Sequence, residues 1–528
     1  MSRPVRRTIR MRHWIWPVVA VVVAATFSWS SPAGADGDRT GLPEAIDTLL
    51  GDARMDGGAA SVVVAEAKTG AVLYQHLPSG RLMPASNTKL LTSAAAMALL
   101  GPDHRFTTDV LSTGTRHGSV LDGDLYLRGT GDPTLLAEDY GRLAAALADS
   151  GVRRVTGRLV ADDTRFDDQR LGRSWASDDE SSYYSAQTSA LSVAPDTDYD
   201  TGTVLVHAAP GDKPGDRPRT TVTPANHYVH LDVRATTVDR DGPSDLTVER
   251  QHGANTVTVS GTLPVGGATA KEWVSVWEPT GYAADVFRDA LAAHGVRVTG
   301  ATRLGEAAPK GARRLATHES MPLKKLLIPF LKLSNNMHAE ALTKAIGYET
   351  SGRGTWDAGL VGISGYLKRV GGDPGKLRQV DGSGLSRMNG VPADQLAKLL
   401  LSVRTEPWYA DWYRALPVAC DPNRSVGGTL RSRLCGTPAA LNARGKTGSL
   451  TGASALSGYV TDAGGRELVY SVVLNNYLVG SVKSIEDAIV ATLASSDENR
   501  AVTVRPKAVR STESNGDLEC SWRKPAQC

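Results

Sequence analysis

The chain lacks the short signatures of two common classes of hydrolase. None of its 11 histidines begins an H-E-x-x-H sequence, which excludes the usual zinc-peptidase site. No G-x-S-x-G occurs either, which excludes the nucleophile turn of the α/β-hydrolases. His227 and His230 lie in a strand-like run with no third ligand nearby in the sequence. We therefore expect no metal site and no cofactor.

Neither sign of charge dominates the chain. The 59 Lys and Arg residues oppose 56 Asp and Glu residues, and five of the arginines fall within the first twelve residues. This balance excludes the strongly basic surface of a nucleic-acid-binding protein. The length of 528 residues, with 41% hydrophobic and 22% charged residues, predicts about three globular domains rather than a disordered or multi-span membrane protein.

One apolar run follows the basic N-terminal segment. It covers Trp14–Phe27, and the small residues Ala33-Gly34-Ala35 come after it. This order is typical of an export signal, so we predict residues 1–35 to be a signal peptide of an exported, extracytoplasmic bacterial protein. The run is short against the ~20 residues of a spanning helix, so an uncleaved anchor is the alternative, and membrane association is expected to be peripheral at most.

Cysteine is scarce, and all four cysteines lie in the last quarter of the chain. An even number in an exported protein favours disulfides over a metal site. Nearness along the chain favours the pairs Cys420–Cys435 and Cys520–Cys528, although four cysteines allow three pairings.

Hydrophobic patterns divide the rest of the chain. Residues 36–106 contain a strand hairpin and a helix, Lys89–Leu100, that is apolar on nearly all sides and is therefore predicted to be buried. Short β-type runs over 107–305 predict one or two inserted β-rich domains. Helices and strands over 306–500 join the first part in one α/β (α+β) domain, an antiparallel sheet flanked by helices. Residues 501–528 are predicted to be a mobile tail.

Three short motifs follow one another along the chain. Ser86 and Lys89 lie one turn apart at the start of the buried helix, where backbone N–H groups favour negative charge and apolar surroundings weaken a lysine's hold on its proton. Ser334-Asn335-Asn336 lies between two predicted helices, and Lys446-Thr447-Gly448-Ser449 leads into the C-terminal strands. Ser-x-x-Lys, Ser-x-Asn and Lys-Thr-Gly in this order are typical of active-serine penicillin-recognising enzymes.

Further copies of two motifs are assigned to structure. Lys68-Thr69-Gly70 precedes Ser86 and lies at a hairpin tip, where Thr-Gly is ordinary turn chemistry. Ser521-Trp522-Arg523-Lys524 lies in the predicted tail.

Longer segments extend the match: Gly123–Leu135, Asp381–Arg387 and Ala455–Val460. Together with the motifs they resemble the D-Ala-D-Ala carboxypeptidase/endopeptidase family of penicillin-binding protein 4 type (peptidase family S13), its actinobacterial members in particular. The resemblance implies a transpeptidase/β-lactamase-like domain interrupted by a β-rich insert. It also implies a penicillin-sensitive serine-type D-Ala-D-Ala carboxypeptidase or endopeptidase that acts on peptidoglycan peptides ending in D-Ala-D-Ala, with β-lactams as inhibitors.

The resemblance also implies a role for each catalytic residue. Ser86 would attack the carbonyl between two D-alanines and form an acyl-enzyme, while Lys89 accepts its proton. Ser334 would relay a proton to the leaving amine, and Asn336 would hold the substrate amide. Lys446 would supply positive charge for the substrate carboxylate.

Two further sets of residues are expected to bind substrate. In the Lys-Thr-Gly motif, Thr447 and Ser449 would bind the terminal carboxylate across Gly448, with the Ser86 and Ser449 N–H groups as the oxyanion hole. In the segment before residue 185, three residues resemble those that hold the free amino end of a diaminopimelate-type side chain: Trp175, Asp178 and Tyr183. Adjacent alternatives are Asp179 and Tyr184, and the Asp381–Gly384 segment is predicted to be a supporting turn.

Two other functions compete with this prediction. A non-catalytic peptidoglycan-binding or β-lactam-sensing protein would need no nucleophile, so the full set of motifs argues against it. A weak β-lactamase would need a glutamate to activate water, yet no glutamate in the chain is followed four residues later by asparagine. We therefore expect a penicillin adduct to be released slowly. Carboxypeptidase, endopeptidase and transpeptidase reactions share one acyl-enzyme, and the sequence leaves the balance among them open.

Overall fold

The computed structural model describes residues 41–507. The predicted signal peptide, the Cys520–Cys528 pair, the Ser521–Lys524 copy and most of the predicted tail lie outside these residues. The first part of the chain forms four elements: α1 (Leu42–Leu50), β1 (Ala59–Glu66), β2 (Val72–His76) and α2 (Thr88–Leu99). Strands β1 and β2 pair as an antiparallel hairpin, as predicted. Helix α1 was not predicted.

The insert consists mainly of short strands. Its elements are β3 (Thr107–Ser112), β4 (Thr115–His117), β5 (Val120–Asp122), β6 (Leu125–Gly129), α3 (Ala137–Asp149), β7 (Arg154–Val155), β8 (Leu159–Asp162), β9 (Thr203–Ala209), β10 (Arg219–Thr223), β11 (His230–Val233), β12 (Thr236–Val238), β13 (Asp245–Arg250), β14 (Thr256–Pro264), β15 (Ala270–Ser275), α4 (Pro279–Ala293), β16 (Arg297–Val298), β17 (Thr302–Leu304) and β18 (Arg313–Glu319).

Four sheets arise from these strands. Their orders are β17-β8-β6-β3-β18, β16-β7-β5-β4, β10-β9-β15 and β11-β14-β12, with β13 paired to β14. The sequence predicts that the insert ends at residue 305. Strand β18 lies after this residue and pairs antiparallel with β3, a strand of the insert. The insert's sheet therefore extends to Glu319, because the Gly- and Pro-containing stretch after Leu304 is a loop between two of its strands rather than a linker between domains.

The last part of the chain is mostly helical and ends in three long strands. Its elements are α5 (Leu323–Lys332), α6 (Asn336–Ser351), α7 (Trp356–Arg369), α8 (Ala393–Ser402), α9 (Tyr409–Ala415), α10 (Arg424–Gly427), β19 (Arg444–Leu450), β20 (Ala453–Thr461), β21 (Glu467–Asn475) and α11 (Lys483–Ser495). Among residues 41–507, no helix is both long and apolar enough to cross a membrane.

The two parts of the chain outside the insert build one antiparallel sheet in the order β19-β20-β21-β1-β2. Strand β1 pairs with β21 over its whole length, from Ala59 opposite Asn475 to Glu66 opposite Leu468. One face packs on the core that contains α2, α5 and α8, and the other packs on α1 and α11. Helix α2 is rich in Ala and Leu, and its residues 88–97 are all buried, as its all-round apolar pattern predicts.

A disulfide joins Cys420 to Cys435, whose Cα atoms lie 4.9 Å apart. This confirms the pairing that nearness along the chain favours. The closed loop carries α10 and also Thr429, whose hydroxyl accepts a hydrogen bond from the Thr447 hydroxyl of β19 at 2.8 Å. The disulfide therefore restrains a loop that contacts the Lys-Thr-Gly strand.

Replacing both cysteines, Cys420→Ser with Cys435→Ser, should lower the free energy of unfolding. Because the cross-linked residues are 15 apart in sequence, the loss should be about 3 kcal/mol, chiefly from the greater freedom of the unfolded chain. Chemical denaturation of the oxidised protein and the double variant measures this difference. An unchanged free energy of unfolding would show that the loop needs no cross-link.

Candidate active site

Ser86 lies in one 3-10 turn, Ala85–Asn87, directly before α2. Ala85 has a positive φ of 46°, a region that costs an L-residue energy and that persists where neighbours enforce it. One such neighbour is Gly384: a Cβ there would lie 1.8 Å from the Ala85 carbonyl oxygen, so no side chain fits. The Ser86 hydroxyl is thus held at the start of a buried helix by a strained turn and a close backbone contact.

The Lys89 amine is fully buried and has three acceptors around it. Its Nζ atom donates to Ser86 Oγ at 2.8 Å, to Asn336 Oδ1 at 2.6 Å and to the Ser383 carbonyl at 2.9 Å. Of these acceptors, only the Ser86 hydroxyl can also donate, since amide and carbonyl oxygens carry no proton. A neutral Lys89 would keep its two hydrogens on Asn336 and Ser383, and its lone pair would face the Ser86 hydroxyl proton.

The Ser334-Asn335-Asn336 motif forms the turn between α5 and α6. Ser334 is fully buried and adopts a positive φ of 58°. Asn335 caps α6 by accepting the His338 N–H, and its own amide donates to the Tyr199 carbonyl at 3.0 Å. The Asn336 amide donates to the Tyr184 carbonyl at 2.8 Å. Two carbonyls of the insert therefore fix this motif.

The Lys446–Ser449 motif lies within β19, the outer strand of the central sheet, rather than before the strands. The Lys446 Nζ atom donates to Ser334 Oγ at 2.8 Å and to the Thr447 carbonyl at 2.8 Å. A Cβ at Gly448 would lie 2.6 Å from the Pro84 carbonyl oxygen and 3.0 Å from the Ser86 nitrogen. Glycine at this position therefore lets the strand approach the Ser86 turn.

Ser449 has a buried hydroxyl that makes no hydrogen bond to any residue between 41 and 507. A buried polar atom without a partner costs free energy unless a ligand or water satisfies it. The hydroxyl follows Gly448 on the strand that lies against the Ser86 turn, so it is available to a bound anion.

The three residues predicted to clasp a side-chain amine lie in different surroundings. Trp175 is half-buried, donates from Nε1 to Asp381 at 3.1 Å and packs against the small apolar cluster that contains Ala85. Asp178 is exposed on a 3-10 turn, Ser177–Asp179. Tyr183 is half-buried, with its ring centroid 5.6 Å from that of Tyr184.

The neighbouring alternatives form a pair of their own, in which the Tyr184 hydroxyl donates to Asp179 at 2.7 Å. Tyr184 also packs in the apolar cluster with Ala85 and Trp175, whereas Tyr183 is outside that cluster. The structure therefore brings Trp175 and Tyr184 to the Ser86 turn.

Sequence reasoning missed the groups that complete the site. The Ser383 and Tyr184 carbonyls are main-chain atoms, which carry no residue-type signal. Thr429 lies in a loop without periodicity, and its contact with Thr447 depends on the fold. Glu340 could have been noticed, because it lies in the predicted helix after the Ser334–Asn336 motif and follows Asn336 by four residues, the spacing of adjacent helical turns.

Comparison with known proteins shows the family of this sequence. The sequence matches the model of the D-Ala-D-Ala carboxypeptidase 3 (S13) family over residues 42–496. It is 43% identical over 512 residues to a D-alanyl-D-alanine carboxypeptidase of Actinomadura sp., covering 96% of this chain and 94% of that protein.

Solved structures show the same fold. The crystal structure of penicillin binding protein 4 (dacB) from Haemophilus influenzae superposes with a TM-score of 0.73 at 25% identity, over 83% of this chain and 95% of that one. The same protein in complex with a β-lactam gives a TM-score of 0.67 at 26% identity, over 83% and 94% of the two chains. The predicted fold class is confirmed.

The variant Gly448→Ala should force β19 away from the Ser86 turn, because the new methyl group has no room against the Pro84 carbonyl. We expect the free energy of unfolding to fall by about 1–3 kcal/mol, as overpacked interiors do. Gly365→Ala in α7 is the matched control, since nothing lies within 4 Å of its Cβ position; it should be neutral or slightly stabilising. Denaturation curves of both variants give the two changes in the free energy of unfolding. Equal changes would contradict the close approach of β19 to the Ser86 turn.

Proposed function

The chain belongs to the D-Ala-D-Ala carboxypeptidase 3 (S13) family, and from this premise we propose that Ser86 is the nucleophile of a penicillin-sensitive serine-type D-Ala-D-Ala carboxypeptidase. Membership of the family, with 43% identity to a curated D-alanyl-D-alanine carboxypeptidase, confirms the predicted class of enzyme. The arrangement of acceptors around Lys89 supports the assignment of the nucleophile, because of Ser86, Asn336 and Ser383 only the Ser86 hydroxyl can give the amine a proton.

Acylation begins at the peptide bond between the two D-alanines. Ser86 Oγ attacks the carbonyl carbon while its proton passes to Lys89 Nζ. The carbon–nitrogen bond then breaks, and the leaving amine takes a proton from the Ser334 hydroxyl. Lys446, 2.8 Å from Ser334 Oγ, replaces that proton. Water then attacks the acyl carbonyl and gives one proton through Ser334 to Lys446, while the bond to Ser86 Oγ breaks and Lys89 returns its proton to that oxygen. The shortened peptide leaves, and both lysines regain their starting states.

The substrate carboxylate lies beside β19 in this proposal. Lys446 provides positive charge, and the hydroxyls of Thr447 and Ser449 bind the carboxylate oxygens. The unsatisfied Ser449 hydroxyl supports this assignment, since a carboxylate would supply the acceptor that it lacks. The backbone N–H groups of Ser86 and Ser449 stabilise the oxyanion, and Gly448 keeps the two close enough to act together.

Asn336 has a second role in this proposal, beside the one that the sequence suggests. Its carbonyl oxygen accepts from Lys89 and its amide group donates to the Tyr184 carbonyl. We infer that Asn336 orients the Lys89 amine first, and that one amide hydrogen is left for the substrate.

β-Lactams enter the same chemistry as substrate mimics. The ring carbonyl acylates Ser86, but the ring nitrogen stays attached to the adduct and does not diffuse away, so the acyl-enzyme persists. The Haemophilus relative was crystallised with a β-lactam. Peptidoglycan peptides that end in D-Ala-D-Ala are the corresponding substrates of the site.

Export of the protein is part of the proposal. The basic and apolar N-terminal segment supports it, and so does the Cys420–Cys435 disulfide, because disulfides persist in oxidising compartments outside the cytoplasm. The cell-wall substrate lies in that same compartment.

A penicillin adduct tests the nucleophile. After incubation with a penicillin, the protein should gain the mass of one inhibitor molecule, and peptide mapping should place it on Ser86. Ser86→Ala should stay unmodified, because it lacks the hydroxyl that the Lys89 amine contacts. Absence of an adduct on the unaltered protein would favour a binding or sensing protein, and rapid release of opened penicillin would indicate a β-lactamase.

We also propose that Trp175, Asp178 and Tyr183 help to bind the free amino end of a stem-peptide side chain. The exposure of Asp178 and the position of Trp175 beside the Ser86 turn support this proposal. An aromatic surface and a carboxylate together suit an ammonium group.

Asp178→Asn should raise the KM for a D-Ala-D-Ala peptide with a free side-chain amine by about two- to fivefold, the size of an exposed ion pair. The kcat should stay unchanged, because Asp178 lies outside the reacting groups. The same peptide with its side-chain amine acetylated is the control, and its KM should not respond. Equal responses of both peptides would contradict a role in binding the amine.

A further inference from the structure

Helix α6 presents a row of polar side chains, one turn apart, toward the interior. Asn336 contacts the Lys89 amine, as described above, and Glu340 follows four residues later. The Glu340 side chain is fully buried. A buried carboxylate is costly unless several donors surround it, so its contacts require an explanation.

The Glu340 carboxylate holds the loop that faces Lys89. Its Oε1 atom accepts the Ser383 N–H at 2.9 Å, and its Oε2 atom accepts the Gly382 N–H at 2.9 Å. The Trp356 indole donates to Oε2 at 2.7 Å. The two loop N–H groups point to α6, and the Ser383 carbonyl accepts from Lys89 on α2. Glu340 therefore fixes the two peptide groups that directly precede the one carrying the Ser383 carbonyl.

A second buried carboxylate closes the other end of the loop. Asp381 accepts the Gly384 N–H at 2.9 Å and the Ser386 N–H at 2.6 Å. In the peptide group between Ser383 and Gly384, the N–H of Gly384 thus donates to the Asp381 carboxylate, and the carbonyl of Ser383 accepts from the Lys89 amine. Hydrogen bonds in such a chain polarise one another, so the Ser383 carbonyl is a stronger acceptor than an isolated one.

The charges of Glu340 and Lys344 interact, but Lys344 makes its hydrogen bonds elsewhere. The next polar side chain on the row, Lys344, donates to Asp167 and to the Gln169 carbonyl, both at 2.6 Å. Burial, with Asp381 beside it, raises the pKa of Glu340 to about 7. Burying this carboxylate costs free energy, and the Gly382 and Ser383 N–H groups that it orients offset part of that cost.

We propose that Glu340 is a positioning residue for Lys89: by holding the Gly382 and Ser383 N–H groups, it aims the Ser383 carbonyl at the amine and so directs the lone pair to Ser86. This inference rests on the proposed function of Ser86 and Lys89. Glu340 contacts neither the substrate nor the reacting atoms in this proposal and acts through the loop alone.

The test is Glu340→Gln in the full-length protein, with a penicillin as the probe. Glutamine keeps the shape of the side chain, but its NH₂ group faces a loop N–H that needs an acceptor, so the loop must shift. Stopped-flow measurements over a range of penicillin concentrations separate the dissociation constant of the initial complex from the first-order acylation rate constant. We expect the rate constant to fall about 10- to 100-fold, as small misplacements of reacting groups do, with the dissociation constant unchanged.

Glu486→Gln is the matched control. Glu486 is also fully buried, but it lies on α11 and accepts from Ser454 Oγ at 2.6 Å and from Arg433 at 2.8 Å, away from the Lys89 loop. The same substitution there should leave the acylation rate constant within about twofold of the unaltered value, even if it lowers the free energy of unfolding.

The fraction of protein that binds penicillin separates positioning from folding. A structural role alone would lower that fraction while the molecules that react do so at the normal rate, and this result would overturn the proposal. If Glu340→Gln does not fold, Glu340→Asp replaces it; the shorter carboxylate cannot reach both N–H groups, and a normal rate constant there would also overturn the proposal. If the unaltered protein forms no adduct on Ser86, the proposed function fails instead.

Discussion

The active site depends on the direction in which the buried Lys89 amine points its lone pair. Lys89 has three acceptors within hydrogen-bonding distance, and two of them are oxygens that cannot donate. A neutral amine that keeps its hydrogens on those two oxygens therefore directs its lone pair toward Ser86. This outcome requires groups from four separate segments: the Ser86 turn and α2, the start of α6, the loop at Ser383, and the Tyr184 carbonyl that fixes Asn336.

Two of the fixing contacts come from the insert, which therefore belongs to the site as well as to the overall architecture. The Tyr184 carbonyl accepts from Asn336, and the Tyr199 carbonyl accepts from Asn335. The insert has its own hydrophobic core, built around α3, α4 and its sheets. Phe166 and Ala190 of the insert also pack in the core of the helical part, so the insert is joined to that part by apolar contacts as well as by these hydrogen bonds.

The sequence predicted the central sheet and its buried helix because their patterns are strong and local. The all-round apolar α2 and the alternating β20 and β21 depend on residue types alone. Helix α3 has an amphipathic pattern that was missed within a segment rich in strands. The boundary at 305 was misplaced because a loop between two strands and a linker between domains share the same Gly and Pro content.

The candidate site divides in the same way. Side chains with distinctive chemistry, such as Ser86, Lys89 and Lys446, could be named from their order along the chain. The Ser383 and Tyr184 carbonyls could not, because every residue has a carbonyl and only the fold decides which one faces an amine. For Glu340, the sequence shows the spacing from Asn336 but does not show what the carboxylate binds. Its partner Gly382 lies 42 residues further along the chain, and only the fold brings the two together.

Strand β19 is the outermost strand of its sheet, and its first residues are already covered. The Gly445 N–H donates to the Pro417 carbonyl, and the Asn87 amide donates to the Lys446 carbonyl. Within residues 41–507, a further strand could therefore pair only along the last few residues of β19. The open part of this strand is too short to pair with a long extended polypeptide, but it is long enough to pair with a few residues of a short peptide. The main-chain contacts of β19 therefore limit how much of a bound peptide can pair with this strand, whatever its side chains are.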